Sequence, residues 1–192
     1  MDGVMVKGWP ETEELGQRQG DGTGATLLKG TLAGLAATVA LDRLDWFMWD
    51  HLDPATRERT RSVRPDGLDP GHVIARKVAQ AMGTDIEPRG PDNQSPAGVA
   101  VHAAMGLAPA LAYAALRDRV PAMTAGRGTL FGLGLFLMQD EGLNTLTGLG
   151  ARPQDYPWQA HARGLIAHLV YGAVLEATMR ALDGPPGERR DA

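Results

Sequence analysis

The segment Pro96-Ala-Gly-Val-Ala-Val-His-Ala-Ala-Met-Gly-Leu-Ala-Pro-Ala-Leu-Ala-Tyr-Ala-Ala-Leu116 runs for 21 residues without Asp, Glu, Lys or Arg. As an α-helix rising about 1.5 Å per residue it extends roughly 31 Å, close to the hydrocarbon thickness of a bilayer. A run of this length and polarity predicts a membrane-spanning helix.

Three further segments have the same helical character. Gly24 to Trp49 opens with LLKGTLAGLAATVAL and closes with DRLDWFMW. Gly126 to Gly148 is glycine-rich and interrupted by Asp140 and Glu141; Trp158 to Leu182 contains GLIAHLVYGAVL. The expected fold is therefore all-α, an integral membrane bundle of about four transmembrane helices. The helical domain is drawn at 24–182, between disordered tails at 1–23 and 183–192, with a polar connection at 50–95. Lys29 can snorkel, Trp46, Phe47 and Trp49 suit an aromatic belt, and Arg163 and Arg180 bracket the last segment.

Composition agrees with closely packed helices: 25 glycines, 5% aromatic residues and few β-branched runs in 192 residues. The mean hydropathy of −0.21 opposes a membrane assignment, but the polar tails and connection dilute the apolar segments. A net charge of −4 disfavours general nucleic-acid binding. With no cysteine, thiolate metal sites and cysteine nucleophiles are excluded. The polar N-terminal stretch shows no short apolar core after a basic start, so no cleavable signal peptide is expected.

Within the connection, Asp69-Pro70 has the form of an N-cap followed by proline at the first helical position, and Gly83 that of a helix stop. Val73, Ile74, Val78 and Met82 form a stripe opposite Arg76, Lys77 and Gln80. A peripheral amphipathic helix is expected, lying on the membrane or packed beneath the bundle, the alternative being an ordinary surface helix. Thr84 to Ser95 reads as a loop. Arg57, Arg59, Arg61 and Arg64 suit either anionic head groups or a solvated helical face. The turn 117–127 carries three arginines and one acid, against one arginine in 149–160. The positive-inside rule puts the first turn and both termini in the cytoplasm, while the arginines of the long connection run counter to it.

Gly30 and Gly34, and Gly128 and Gly132, have the spacing that lets helix backbones approach closely. They are candidate faces for a homo-oligomer or a membrane-protein partner, besides the bilayer itself.

An ionisable group inside a spanning helix costs about 2.5–3.5 kcal/mol at mid-bilayer on insertion scales, so it faces a bundle interior or a wet cavity. The candidate buried polar cluster comprises Asp42, Asp45, His102, Asp140, Glu141, Asn144, His161, His168 and Glu176. His161 and His168 share a face, with Glu176 near it; His168 with Asp140 or Glu141 is the favoured pair. His51 and His72 lie among polar residues and are expected in solvent. Three chemistries fit the cluster: a proton or ion relay, a His/carboxylate metal site, or plain structural pairing. No Glu-x-x-His pair supports the metal case. GDGTGA at 20–25 follows no strand and is not a dinucleotide loop, and no nucleophile elbow is present. No catalytic residue, metal or cofactor is assigned.

The second to fourth segments carry a further pattern: Val101-His102, Ala112-Tyr113, a charged turn from Arg117 to Pro121, a glycine-rich helix ending at Gly148-Leu149, Tyr156-Pro157-Trp158, and Ala167-His168-Leu169-Val170-Tyr171. Over residues 97–180 this resembles the YagU-like family of bacterial inner-membrane proteins. The resemblance implies an inner-membrane bundle of about four helices and a loose link to acid tolerance. It brings no catalytic set. Asp140-Glu141 and the long connection after Trp49 depart from that pattern. The function expected is handling of protons, ions or a small solute through the polar cluster, the alternative being a non-catalytic scaffold or assembly subunit.

Overall fold

A computed structural model of the chain describes residues 22–86 and 95–184. The expected tails lie outside these residues except at their inner edges, where Thr23 opens the first helix and Asp183 closes the last. Most of the loop expected at Thr84 to Ser95 lies outside them as well.

The described residues form helices and turns without strands. α1 (Thr23–Asp50) is followed by α2 (Pro54–Val63), α3 (Pro70–Ala81) and α4 (Pro96–Leu116). The short α5 (Pro121–Thr124) leads to α6 (Thr129–Leu135), a π-helical segment (Phe136–Leu143), α7 (Asn144–Leu146) and α8 (Trp158–Asp183). Three of these helices begin alike. Asp53, Asp69 and Ser95 accept from the backbone N–H of Thr56, His72 and Gly98 at 2.9, 3.1 and 3.0 Å, each with proline next in the chain. The side chain satisfies an orphan donor, and proline supplies a preset φ where no N–H is needed.

Four rods make the bundle: α1, α4, α8 and the composite of α6, the π segment and α7. Gly30 faces Ala114 and Gly34 faces Ala110, so α1 and α4 run antiparallel. Gly128 and Gly132 face Gly172 and His168, which sets α6 antiparallel to α8. Lys29 meets Asp183 and Asp45 meets Arg163, so α1 also opposes α8. The order is up, down, up, down. A Cβ on Gly128 or Gly132 would collide with backbone of α8, so the absence of a side chain there permits the approach. All four glycines expected to dock a partner are thus occupied by the chain's own helices.

α1, α4 and α8 are each long and apolar enough to cross a membrane. The burial of α1 inverts the pattern of a soluble bundle, whereas α8 buries Tyr171, Leu175 and Met179. On α1 the inward residues are Gly30, Ala33, Gly34 and Ala37, while Leu28 and Val39 are 61% and 57% exposed. Small side chains face in and large apolar ones face out, an arrangement stable where the surroundings are themselves apolar. The third expected span is not one α-helix, since its centre is π-helical.

The connection holds two helices rather than one. α2 buries Thr60 and brings Arg61 and Arg64 over the Trp49 ring, at 5.2 and 5.7 Å. Trp49 is consequently buried and not part of an interfacial belt; Trp46 and Phe47 remain exposed. α3 packs on α4 through Gly71, His72, Val73, Ala75 and Ala79. The expected stripe splits: Val73 is buried, whereas Val78 and Met82 are exposed. Glycine and alanine allow the closer contact, so the small-residue face wins over the larger apolar one. His72, expected in solvent, is buried.

Candidate functional site

Between α1, α4, the π segment and α8 lies a cavity of about 220 Å³, its wall completed by Thr60 and Arg64 of the α2 region and by Asp69 at the cap of α3. Thr38, Leu135 and Tyr171 line one part, Arg163 and Asp45 another. The π segment contributes Gln139, Asp140 and Glu141. π-helical turns are rare and recur at functional sites because they re-aim side chains out of α-helical register.

Three histidines meet carboxylates here. His161 Nδ1 is 2.6 Å from Glu141 Oε1, His102 Nε2 is 2.9 Å from Asp42 Oδ1, and His168 Nδ1 is 3.6 Å from Asp140 Oδ2. The last is no direct hydrogen bond, because His168 Nδ1 donates to the Gly164 carbonyl at 2.9 Å. Gly164 also leaves room for the carboxylate: a Cβ there would stand 3.0 Å from Asp140 Oδ2. Arg163 donates to Asp45 at 2.5 Å and stacks over Trp49 at 4.9 Å, as guanidinium groups do on aromatic faces.

Seven of the nine expected cluster residues line this cavity: Asp45, His102, Asp140, Glu141, Asn144, His161 and His168. Asp42 reaches it through His102. Glu176 does not belong to it. That carboxylate is 1% exposed and accepts from the Tyr113 hydroxyl at 2.6 Å, Arg117 at 3.2 Å and Arg180 at 2.5 Å. Arg117 also binds Asp183, which in turn accepts from Lys29. Lys29 and Arg180, expected to snorkel or anchor, instead close this second network.

Sequence reasoning took Arg163 for an anchor and did not single out Thr38, Arg64 or Tyr171 for the site. A charged residue inside an apolar helix was the available signal for Arg163. Tyr171 donates to the Gly106 carbonyl at 2.5 Å, tying α8 to α4 at the cavity wall. Near the cap of α3, His72 Nδ1 lies 2.8 Å from Asp69, and its Nε2 accepts from the Ser95 N–H at 3.0 Å. Burial works against the ionised Asp69, but the hydrogen bonds it accepts from the His72 ring and backbone prevail and hold its carboxyl below the ordinary range. The described residues contain no group of three or more His, Asp and Glu side chains placed to hold a metal ion.

Comparison with protein-family models, curated proteins and solved structures finds no match to this chain.

Proposed function

We propose that this chain is a polytopic protein of the bacterial inner membrane that handles protons, alone or with a small solute, through the His/carboxylate cavity. The rod made of α6, the π segment and α7 is taken as the fourth span; its residues 129–146 reach roughly 27 Å at helical rise. The resemblance to the YagU-like family is the basis for naming the inner membrane. α3 is the peripheral helix of this arrangement.

One observation carries the reading. Histidines from α4 and α8 face carboxylates from α1 and the π segment around one cavity, inside a bundle whose outer surface is apolar. Ionisable groups so enclosed are costly and recur on proton and solute paths. Histidine supports a relay because its unperturbed proton affinity lies near neutral pH. The glycine pairs that suggested a docking scaffold are internal, so they lend that alternative no support.

Fractionation and flux test this. The expressed chain is expected to sediment with membranes and resist alkaline extraction. In vesicles loaded with a pH-sensitive dye it should dissipate an imposed proton gradient. Asp140→Asn and His168→Gln should slow that by about tenfold or more, a barrier increase of at least about 1.4 kcal/mol. A chain found in the supernatant, or unchanged flux in both variants, overturns the reading.

A further inference from the structure

His161 stands between two acceptors. Its Nδ1 lies 2.6 Å from Glu141 Oε1 and its Nε2 lies 2.9 Å from the Pro153 carbonyl oxygen. A peptide carbonyl oxygen only accepts, so Nε2 carries the hydrogen in that bond. Neutral imidazole has one N–H, which leaves Nδ1 as a bare lone pair. An ionised Glu141 would then set oxygen and nitrogen lone pairs against each other at hydrogen-bond distance. The contact is attractive only with one more proton in it. Either the imidazolium donates to the carboxylate, or the carboxyl O–H donates to a neutral Nδ1.

The other four histidines impose no such requirement. His72 has one acceptor, Asp69, and one donor, the Ser95 N–H, which a neutral ring satisfies together. For His51, His102 and His168 the hydrogen-bonded ring nitrogen faces a single acceptor: the Phe47 carbonyl, Asp42 and the Gly164 carbonyl. A neutral tautomer serves each.

We propose that His161 and Glu141 hold one proton jointly and form the proton-loading site of the cavity. This rests on the proton-handling function above and names where the proton resides. Moving it from Nδ1 to Oε1 leaves the pair neutral as a whole; releasing it leaves a net negative charge. Several groups share the cavity wall with this pair. On α8 these are Arg163 and His168; on the π segment, Asp140; on α4, His102; on α1, Asp45; beyond α2 and before α3, Arg64 and Asp69. Tyr156 lies edge-on to the His161 ring, with centroids 6.2 Å apart.

The test is spectroscopic and uses the full purified chain in detergent at about pH 7. Nitrogen NMR of labelled histidine should show one ring protonated on both nitrogens. If the proton sits on the acid instead, infrared spectroscopy should show one protonated carboxyl that shifts on deuteration. Glu141→Gln should abolish whichever signal is present, because the amide N–H can donate to a neutral Nδ1, and acid titration should register one bound proton fewer per chain. Neutral rings throughout with all carboxyls ionised would overturn the proposal, and so would a signal indifferent to Glu141→Gln. The first measurement needs no variant, so a misfolded mutant does not remove the test. Flux is read separately: a chain showing the shared proton yet conducting none would refute the proposed function and leave this assignment standing.

Discussion

The two clusters that meet α8 both enclose carboxylates but partner them differently. Around Glu176, the partners are a phenol and two guanidinium groups, the latter charged at every physiological pH, and the carboxylate has almost no exposure. Around Asp140 and Glu141, the partners are histidines, whose side chain exists in both neutral and charged forms, and the groups border open volume. An unpartnered guanidinium nitrogen occurs in each, at Arg117 Nε and Arg163 Nε, so perfect satisfaction is not what separates them. The nature of the partner and the presence of space are. One cluster fastens α1, α4 and α8 together; the other borders a cavity.

The largest expected effect breaks the fastening. Glu176→Ala leaves the buried Tyr113 hydroxyl without its acceptor and Arg117 with Asp183 alone of its two carboxylates, a loss of about 3 kcal/mol. Thermal unfolding in detergent should reveal this, while Asp140→Asn, at the border of open space, should stay within about 1 kcal/mol of the parent chain. Equal losses in the two variants would erase the distinction between the clusters.

A smaller effect follows from Asp69, which belongs to both the cavity wall and the cap of α3. Its carboxyl is held below the ordinary value of about 3.9, so it binds a proton less readily folded than unfolded. The stability it adds is complete above that ordinary value and is lost as pH falls through the folded one. Asp69→Asn should therefore flatten the acid limb of a stability profile. At neutral pH it should cost about 1 kcal/mol through the weakened bond to the His72 ring, since asparagine caps a helix about as well as aspartate. An unchanged acid limb would show that Asp69 is not coupled to folding.

The smallest effect concerns α3. Val78→Ser and Met82→Ser remove apolar groups that touch solvent in the isolated chain, so unfolding in detergent should move by no more than about 0.5 kcal/mol. Membrane partitioning read in parallel sharpens the result: a drop there with stability unchanged would mean that α3 meets lipid head groups.

Legibility differed by element. α4 is readable because an uninterrupted apolar run needs no partner to be recognised, and α1 and α8 because their charges are few against long apolar stretches. The cap of α3 was readable from Asp69-Pro70, yet the same signature at Asp53-Pro54 was passed over beneath a run of arginines. The burial of His72 was not readable, since its partners are Ser95 and the space left by Gly98, far along the chain. Glu176 was grouped with His168 on helical spacing alone. Eight residues advance a helix by roughly 12 Å, enough to carry a side chain into a different layer of the bundle. Spacing yields a direction around the axis and says little about depth. The π segment has no composition of its own and emerges only when backbone bonds are drawn.

That wide turn also changes what chain length means in this rod. Its ring of bonds closes five residues on instead of four, so the stretch between Gly132 and Asn144 accommodates surplus backbone between two fixed contacts. Excising a single residue there would relax the coil to ordinary pitch while swinging the acidic pair by about 100°. The bundle is expected to survive such a trimming, while Asp140 and Glu141 would turn away from the space they now border.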